Sequence, residues 1–289
     1  MSMCRMSALA ATALAPAVIA LSALSAPAGA APWSKKAPAP AAGGAASAAS
    51  PASGQALAAR PKATAEQRAE IGRMDPLARA AFWAREAEID PADAEAGAQL
   101  SRALRAMGKY DDAVQAAERS RIASPANVEV LLELARAHVG RGQGFYALEP
   151  AREAQRLAPR DWRAPALMAV AYEQAQRLDE ALAAHRQALA LAPDNPAVMG
   201  NLALFYAARG DTAQAETLLR QAAALPGAPI AVRQNLALVV GLQGRLDEAE
   251  RLARQDLPPE MVENNLAWLR SAKAAPAGAS RSWADMKAQ

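Results

Sequence analysis

The chain has 289 residues, 52% hydrophobic but only 4% aromatic, and its 32 Lys and Arg against 29 Asp and Glu leave a net charge of +3. So few aromatics exclude a large aromatic core, and alanine, which favours helix and lets helices approach closely, sets the packing instead. The two charge signs alternate along the chain with no basic block, which excludes a nucleic-acid surface, and the single cysteine, Cys4, excludes an internal disulfide.

Residues 1–30 read as a secretory signal. Arg5 supplies the positive start, Ala8 to Leu24 is apolar apart from Thr12, Pro16 and Ser22, and Ala28-Gly29-Ala30 places cleavage after Ala30, the alternative being an uncleaved membrane anchor. Cys4 lies ahead of the apolar stretch, so it is not placed to carry a lipid. The expected product is exported and periplasmic, and not lipidated. Residues 31–63 are rich in Ala, Pro, Ser and Gly, a composition that buries too little apolar surface to offset chain entropy, and they read as a flexible linker. Residues 272–289, with Trp283, read as a disordered tail.

Between these segments lies a repeat. Ala113, Ala147, Ala181, Ala215 and Ala249 recur every 34 residues. Gly108, Gly142, Gly210 and Gly244 share that comb, with Gln176 in the missing place, and Pro91, Pro125, Pro159 and Pro193 form a third. The period and residue types match the tetratricopeptide repeat, two antiparallel helices A and B per unit. Glycine ends helix A at the turn. Acids such as Asp111, Asp179-Glu180 and Asp247-Glu248 open helix B, where they suit the helix dipole. In helix A, Leu100, Leu134, Met168, Leu202 and Leu236 are each followed by a small residue, the large-then-small pattern of a ridge-and-groove contact. The predicted fold is all-α: a right-handed superhelical solenoid over 64–271, with repeats 94–127, 128–161, 162–195, 196–229 and 230–259. Residues 64–93 form a degenerate opening cap. Residues 260–271 form a closing amphipathic helix carrying Met261, Leu266, Trp268 and Leu269. Pro150 falls inside a helix B and predicts a kink there. The turn Gly140-Arg141-Gly142-Gln143-Gly144 reads as unusually loose.

No catalytic constellation accompanies this scaffold. The two histidines, His138 and His185, lie in different repeats and make no zinc-binding pattern, and no GxSxG elbow or phosphate loop is present. The sequence therefore predicts a non-enzyme with no cofactor, no metal, no small-molecule substrate and protein partners. The inner wall of a tetratricopeptide stack is made by the A helices. There Asn-Leu-Ala recurs at Asn201, Asn235 and Asn265, and a ladder of amides can bond the backbone of an extended peptide whatever its side chains. The competing role is a bond to the neighbouring helical turn. Arg136, Arg163, Glu173 and Arg233 are expected to border the same groove. Ala197 and Ala231 stand where some relatives of this fold carry lysines that clamp a terminal carboxylate, so that clamp is not expected.

Three stretches add a narrower likeness: Gly142-Gln143-Gly144-Phe145-Tyr146; Pro159-Arg160-Asp161-Trp162-Arg163; and Gln234 to Val239 through Arg254-Gln255-Asp256-Leu257-Pro258, with the shortened last repeat and Asn264-Asn265-Leu266-Ala267-Trp268-Leu269 behind it. Over residues 64–270 the chain resembles the TadD-type proteins of the tight-adherence (Flp) pilus system. That resemblance implies a periplasmic or outer-membrane-associated assembly factor whose partners are the secretin or other pilus components. It also implies a lipoprotein, from which this sequence departs. A general periplasmic adaptor in envelope biogenesis and a regulatory subunit of an envelope enzyme are the alternatives.

Overall fold

The computed structural model describes residues 61–274; the signal sequence with Ala30, most of the linker, and the tail from residue 275 lie outside the described residues. Within them the chain forms thirteen α-helices and no strand. Helices α1 (Ala65–Ile71) and α2 (Pro76–Ile89) open the array. Five pairs follow: α3 (Ala94–Ala106) with α4 (Tyr110–Ala123), α5 (Val128–Gly140) with α6 (Gly144–Leu157), α7 (Arg163–Gln174) with α8 (Leu178–Leu191), α9 (Pro196–Ala208) with α10 (Thr212–Ala224), and α11 (Ile230–Leu242) with α12 (Leu246–Ala253). The last helix is α13 (Pro259–Ala274).

Each pair is joined by the same turn. The N–H of Lys109 donates to the Leu104 carbonyl at 2.9 Å, and Gln143 to His138, Arg177 to Tyr172, Asp211 to Tyr206 and Arg245 to Val240 repeat that bond. The residue before each donor holds a positive φ: Gly108, Gly142, Gln176, Gly210 and Gly244. This is the Schellman cap, which satisfies the open carbonyls of helix A and needs a left-handed residue to do so. Four of the five places have glycine, which takes that conformation without steric cost. Asp93, Asn127, Asn195 and Asp211 cap the following helices with side-chain bonds to backbone N–H groups, each worth about 1 kcal/mol.

Small residues set the distance between helices. Ala113, Ala147, Ala181 and Ala215 are fully buried, and so are Ser101, Ala135, Ala169 and Ala203 on the A helices. The Ser101 hydroxyl donates to the Ala113 carbonyl at 2.9 Å. Larger side chains then fill the space between repeats. Leu134, Met168, Leu202 and Leu236 are buried, and Tyr172 and Phe205 close the middle of the array. Helix α12 has only eight residues because Leu257-Pro258-Pro259 follows its end, and α13 covers it with Val262, Leu266 and Leu269. Met261, expected on the covered face of α13, is instead exposed; Val262 takes that place.

One local expectation changes, at the turn ahead of helix α6, which keeps the buried Pro150 within its span. The glycine-rich turn before it is tight rather than loose. A Cβ on Gly144 would lie 2.3 Å from the Ala171 carbonyl oxygen, and one on Gly140 would lie 2.5 Å from the Tyr110 ring. Those glycines are there because neighbouring elements leave no room for a side chain.

Successive A helices pack together at α3 with α5, α5 with α7, α9 with α11 and α11 with α13, and stand further apart only at the step from α7 to α9, whereas no two successive B helices pack so closely. The A helices therefore line the inner, shorter side of the curve.

Candidate functional site

Along each A helix one stripe faces this inner side, at intervals of four, three and four residues, the spacing that returns to one helical face. In α3 it is Glu95, Gln99, Arg102 and Ala106; in α5, Glu129, Glu133, Arg136 and Gly140; in α7, Arg163, Leu167, Val170 and Gln174. In α9 it becomes Ala197, Asn201, Leu204 and Ala208, and in α11 Ala231, Asn235, Leu238 and Leu242. The stripe passes from ionised to uncharged across α7.

The ionised half is an interlocked ion-pair network. Arg68 holds Glu86, Asp93 and Glu95. One repeat later, Arg102 holds Glu129 at 2.5 Å and Glu133 at 2.8 Å. Glu133 is fully buried and also takes Arg136 at 2.7 Å. Arg163 reaches back to Glu129 at 2.7 Å and binds Asp161 in its own turn at 2.7 Å. Burial works to raise the Glu129 carboxyl, but Arg163, Arg136 and Arg102 outweigh it and hold the group below its ordinary value. Asp161 is lowered the same way, burial being outweighed by Arg163. These charges satisfy one another, so this half of the groove is a braced wall.

The uncharged half differs. Asn201 is exposed, Asn235 and Asn265 are half-buried, and among the described residues none of the three side-chain amides has a hydrogen-bond partner. The bond to a neighbouring turn, their competing role, is not made. Leu204 and Leu238 lie beside them, three residues on, and the sequence pattern alone did not single them out. Their signal was available, since both sit one 34-residue step apart in the same register as Arg102 and Arg136.

The remaining candidates fall as follows. Arg136 and Arg163 stand in the stripe but are engaged in the network. Arg233, expected to border the groove, does not. It lies two residues from both Ala231 and Asn235, on the opposite face of α11, and binds Asp256 at 2.6 Å. Glu173 turns away to the buried His185, whose Nε2 lies 2.6 Å from its carboxylate. His138 is buried beneath Tyr146, and burial pushes its imidazole below the ordinary value. Among the described residues no group of three or more His, Cys, Asp or Glu is placed to hold a metal, and no helix is long and apolar enough to cross a membrane.

Comparison with known proteins adds to this geometry. A family model described as tetratricopeptide repeat matches residues 174–228. The chain is similar to a thermophilic tetratricopeptide-repeat protein of Thermus thermophilus, with 26% identity over 62% of this chain and 99% of that one, and a TM-score of 0.55. It is similar to a tetratricopeptide repeat protein from Parabacteroides merdae, with 11% identity, 71% and 80% coverage and a TM-score of 0.59. It is also similar to yeast Tom70, with 19% identity, 68% and 43% coverage and a TM-score of 0.52. The last two share the fold alone. No curated protein matches the sequence. With five like turns on a 34-residue register and these likenesses, the described residues have the all-α tetratricopeptide-repeat fold.

Proposed function

We propose that the chain is a non-catalytic scaffold that holds an extended polypeptide against its A helices, and that it serves in the envelope as an assembly factor for a tight-adherence pilus or related secretion machine. The observation that carries the binding role is the amide series: Asn201 and Asn235 one 34-residue step apart and Asn265 a shorter step of 30 beyond, all without side-chain partners among the described residues. A polypeptide backbone offers the complementary groups at regular intervals. The assembly role is supported by the sequence resemblance over residues 64–270, and the periplasmic location by the signal pattern ending at Ala30.

Affinity capture of the full chain from the exported fraction of its own cell tests this reading. The expected result is recovery of a secretin or pilus component, reduced when Asn201→Ala and Asn235→Ala are combined. Recovery of no such component rejects the assembly role. Capture unchanged by the double substitution removes the amide series from the binding site.

A further inference from the structure

Helix α9 has no charged residue at all, and α11 has only Arg233, which faces away from the groove and is paired with Asp256. A helix ordinarily gives its solvent side to charged and polar residues. Here that side offers alanine, asparagine and leucine. Leu204 is half-buried and joins none of the apolar clusters of the core among the described residues, whereas Leu238, also half-buried, packs in part against the C-terminal cluster, as does Trp268. The next helix continues both rows, with Asn265 in the amide row and the half-buried Trp268 three residues on.

Resting on the groove reading above, we infer that the C-terminal half of the groove receives an uncharged polyproline-II segment of a partner protein with an apolar residue at every third position. Three properties of the surface select it. First, an ionised ligand residue laid on α9 and α11 would lose water and find no opposite charge, a cost that an uncharged segment avoids. Second, the amide row addresses backbone, and polyproline II makes no internal hydrogen bonds, so its backbone is open to them. Third, the pitch fits. Helices in contact lie about 8–10 Å apart, and α9, α11 and α13 touch in sequence. Polyproline II repeats a face every three residues, about 9.3 Å. One apolar side chain per turn then meets Leu204, Leu238 and Trp268 in succession. A β-strand repeats a face about every 6.6–6.8 Å and an α-helix about every 5.4 Å, so both fall out of step within two helices.

Fluorescence anisotropy with the full chain tests this, using labelled peptides of about four polyproline turns. The probes are a Pro-Ala-Leu repeat, the same composition with leucine at every second position, and a Pro-Ala-Asp repeat. The first should bind about tenfold more tightly than the other two, a difference of about 1.4 kcal/mol. Its affinity should hold between about 50 mM and about 500 mM salt, since no charge pair is formed. It should fall at least about tenfold in Asn201→Ala/Asn235→Ala and in Leu204→Asp/Leu238→Asp, whose helicity is checked by circular dichroism. Equal or tighter binding of the aspartate or every-second-leucine peptide overturns the polyproline assignment while leaving the groove intact. Tighter binding of a peptide covering residues 37–59 of this chain overturns it in favour of self-occupancy. Binding of every peptide unaltered in both double variants refutes the groove itself.

Discussion

The backbone N–H of Gln176 donates to the Glu173 carbonyl at 3.0 Å while Gln176 itself is held at φ 57°, in the turn position that glycine fills in the four other repeats. A side chain in that conformation costs about 1–2 kcal/mol, partly offset by the greater entropy that glycine loses on folding. Gln176→Gly should therefore stabilise the protein by about 0.5–1 kcal/mol. Gly142→Ala, the reverse change in the preceding repeat, should destabilise it by a similar amount. Urea unfolding followed by circular dichroism reads both, and a destabilised Gln176→Gly would show that the turn is held by something other than this cap.

Gly144 gives a sharper case, because helix propensity and packing predict opposite signs. Alanine in a helix is favoured over glycine by about 1 kcal/mol. Yet the added Cβ would meet the Ala171 carbonyl oxygen at 2.3 Å and the Gln174 side chain at 2.8 Å. Backbone of the next repeat cannot yield cheaply, so Gly144→Ala should destabilise by about 1–3 kcal/mol. At Gly200 the nearest atom to such a Cβ is 3.7 Å away. Gly200→Ala should therefore be neutral or stabilising by up to about 1 kcal/mol. Chemical denaturation of the pair separates contact from propensity.

Much of this architecture can be read from residues that recur. The alanine comb stands at the closest helix contacts, and the glycine comb at the left-handed turns, because both are demands of backbone geometry and admit few side chains. Gly144 misleads because a glycine required by a neighbour looks, in sequence, like a glycine that loosens a turn. The ion-pair ladder was present only as arithmetic: Arg68 with Glu95 and Arg102 with Glu129 are the same pair one period apart. It gains meaning once the A helices are known to stack. The burial of Glu133 could not be inferred, since a glutamate on a helix face ordinarily meets water, and only the three arginines around it, Arg102, Arg105 and Arg136, remove that water.

That burial predicts an asymmetry. Glu133 has no exposed side-chain surface, whereas Arg102 and Arg136 keep 36% and 21% of theirs. Removing both leaves the buried carboxylate only the longer contact to Arg105, at 3.5 Å, and Arg102→Ala/Arg136→Ala should cost about 3–5 kcal/mol. Removing the carboxylate leaves guanidiniums that can turn to solvent, and Glu133→Gln should cost only about 1–2 kcal/mol. Equal losses in urea unfolding would mean that the network acts through its packing and not its charges.

On the B-helix side, Glu216 of α10 joins Arg220, Arg245 and Glu248 in a quartet that ties α10 to α12. The hydrogen bond from Arg245 is the main cause, with burial opposing and Arg220 assisting, that brings the Glu216 carboxyl from an ordinary 4.5 down to about 2. A value depressed by folding means that the folded state binds the proton less tightly than the unfolded chain does. The stabilisation is therefore complete above pH 4.5 and is lost as the pH falls from there through about 2. Glu216→Gln removes this contribution at every pH. The variant should melt below the parent near neutrality, and the gap should narrow steadily through the acid window as the parent loses what the variant never had. Thermal melts of both proteins across that range measure the gap directly. Curves that stay parallel would show that Glu216 contributes no proton-linked stability and that the quartet is an exposed, screened arrangement.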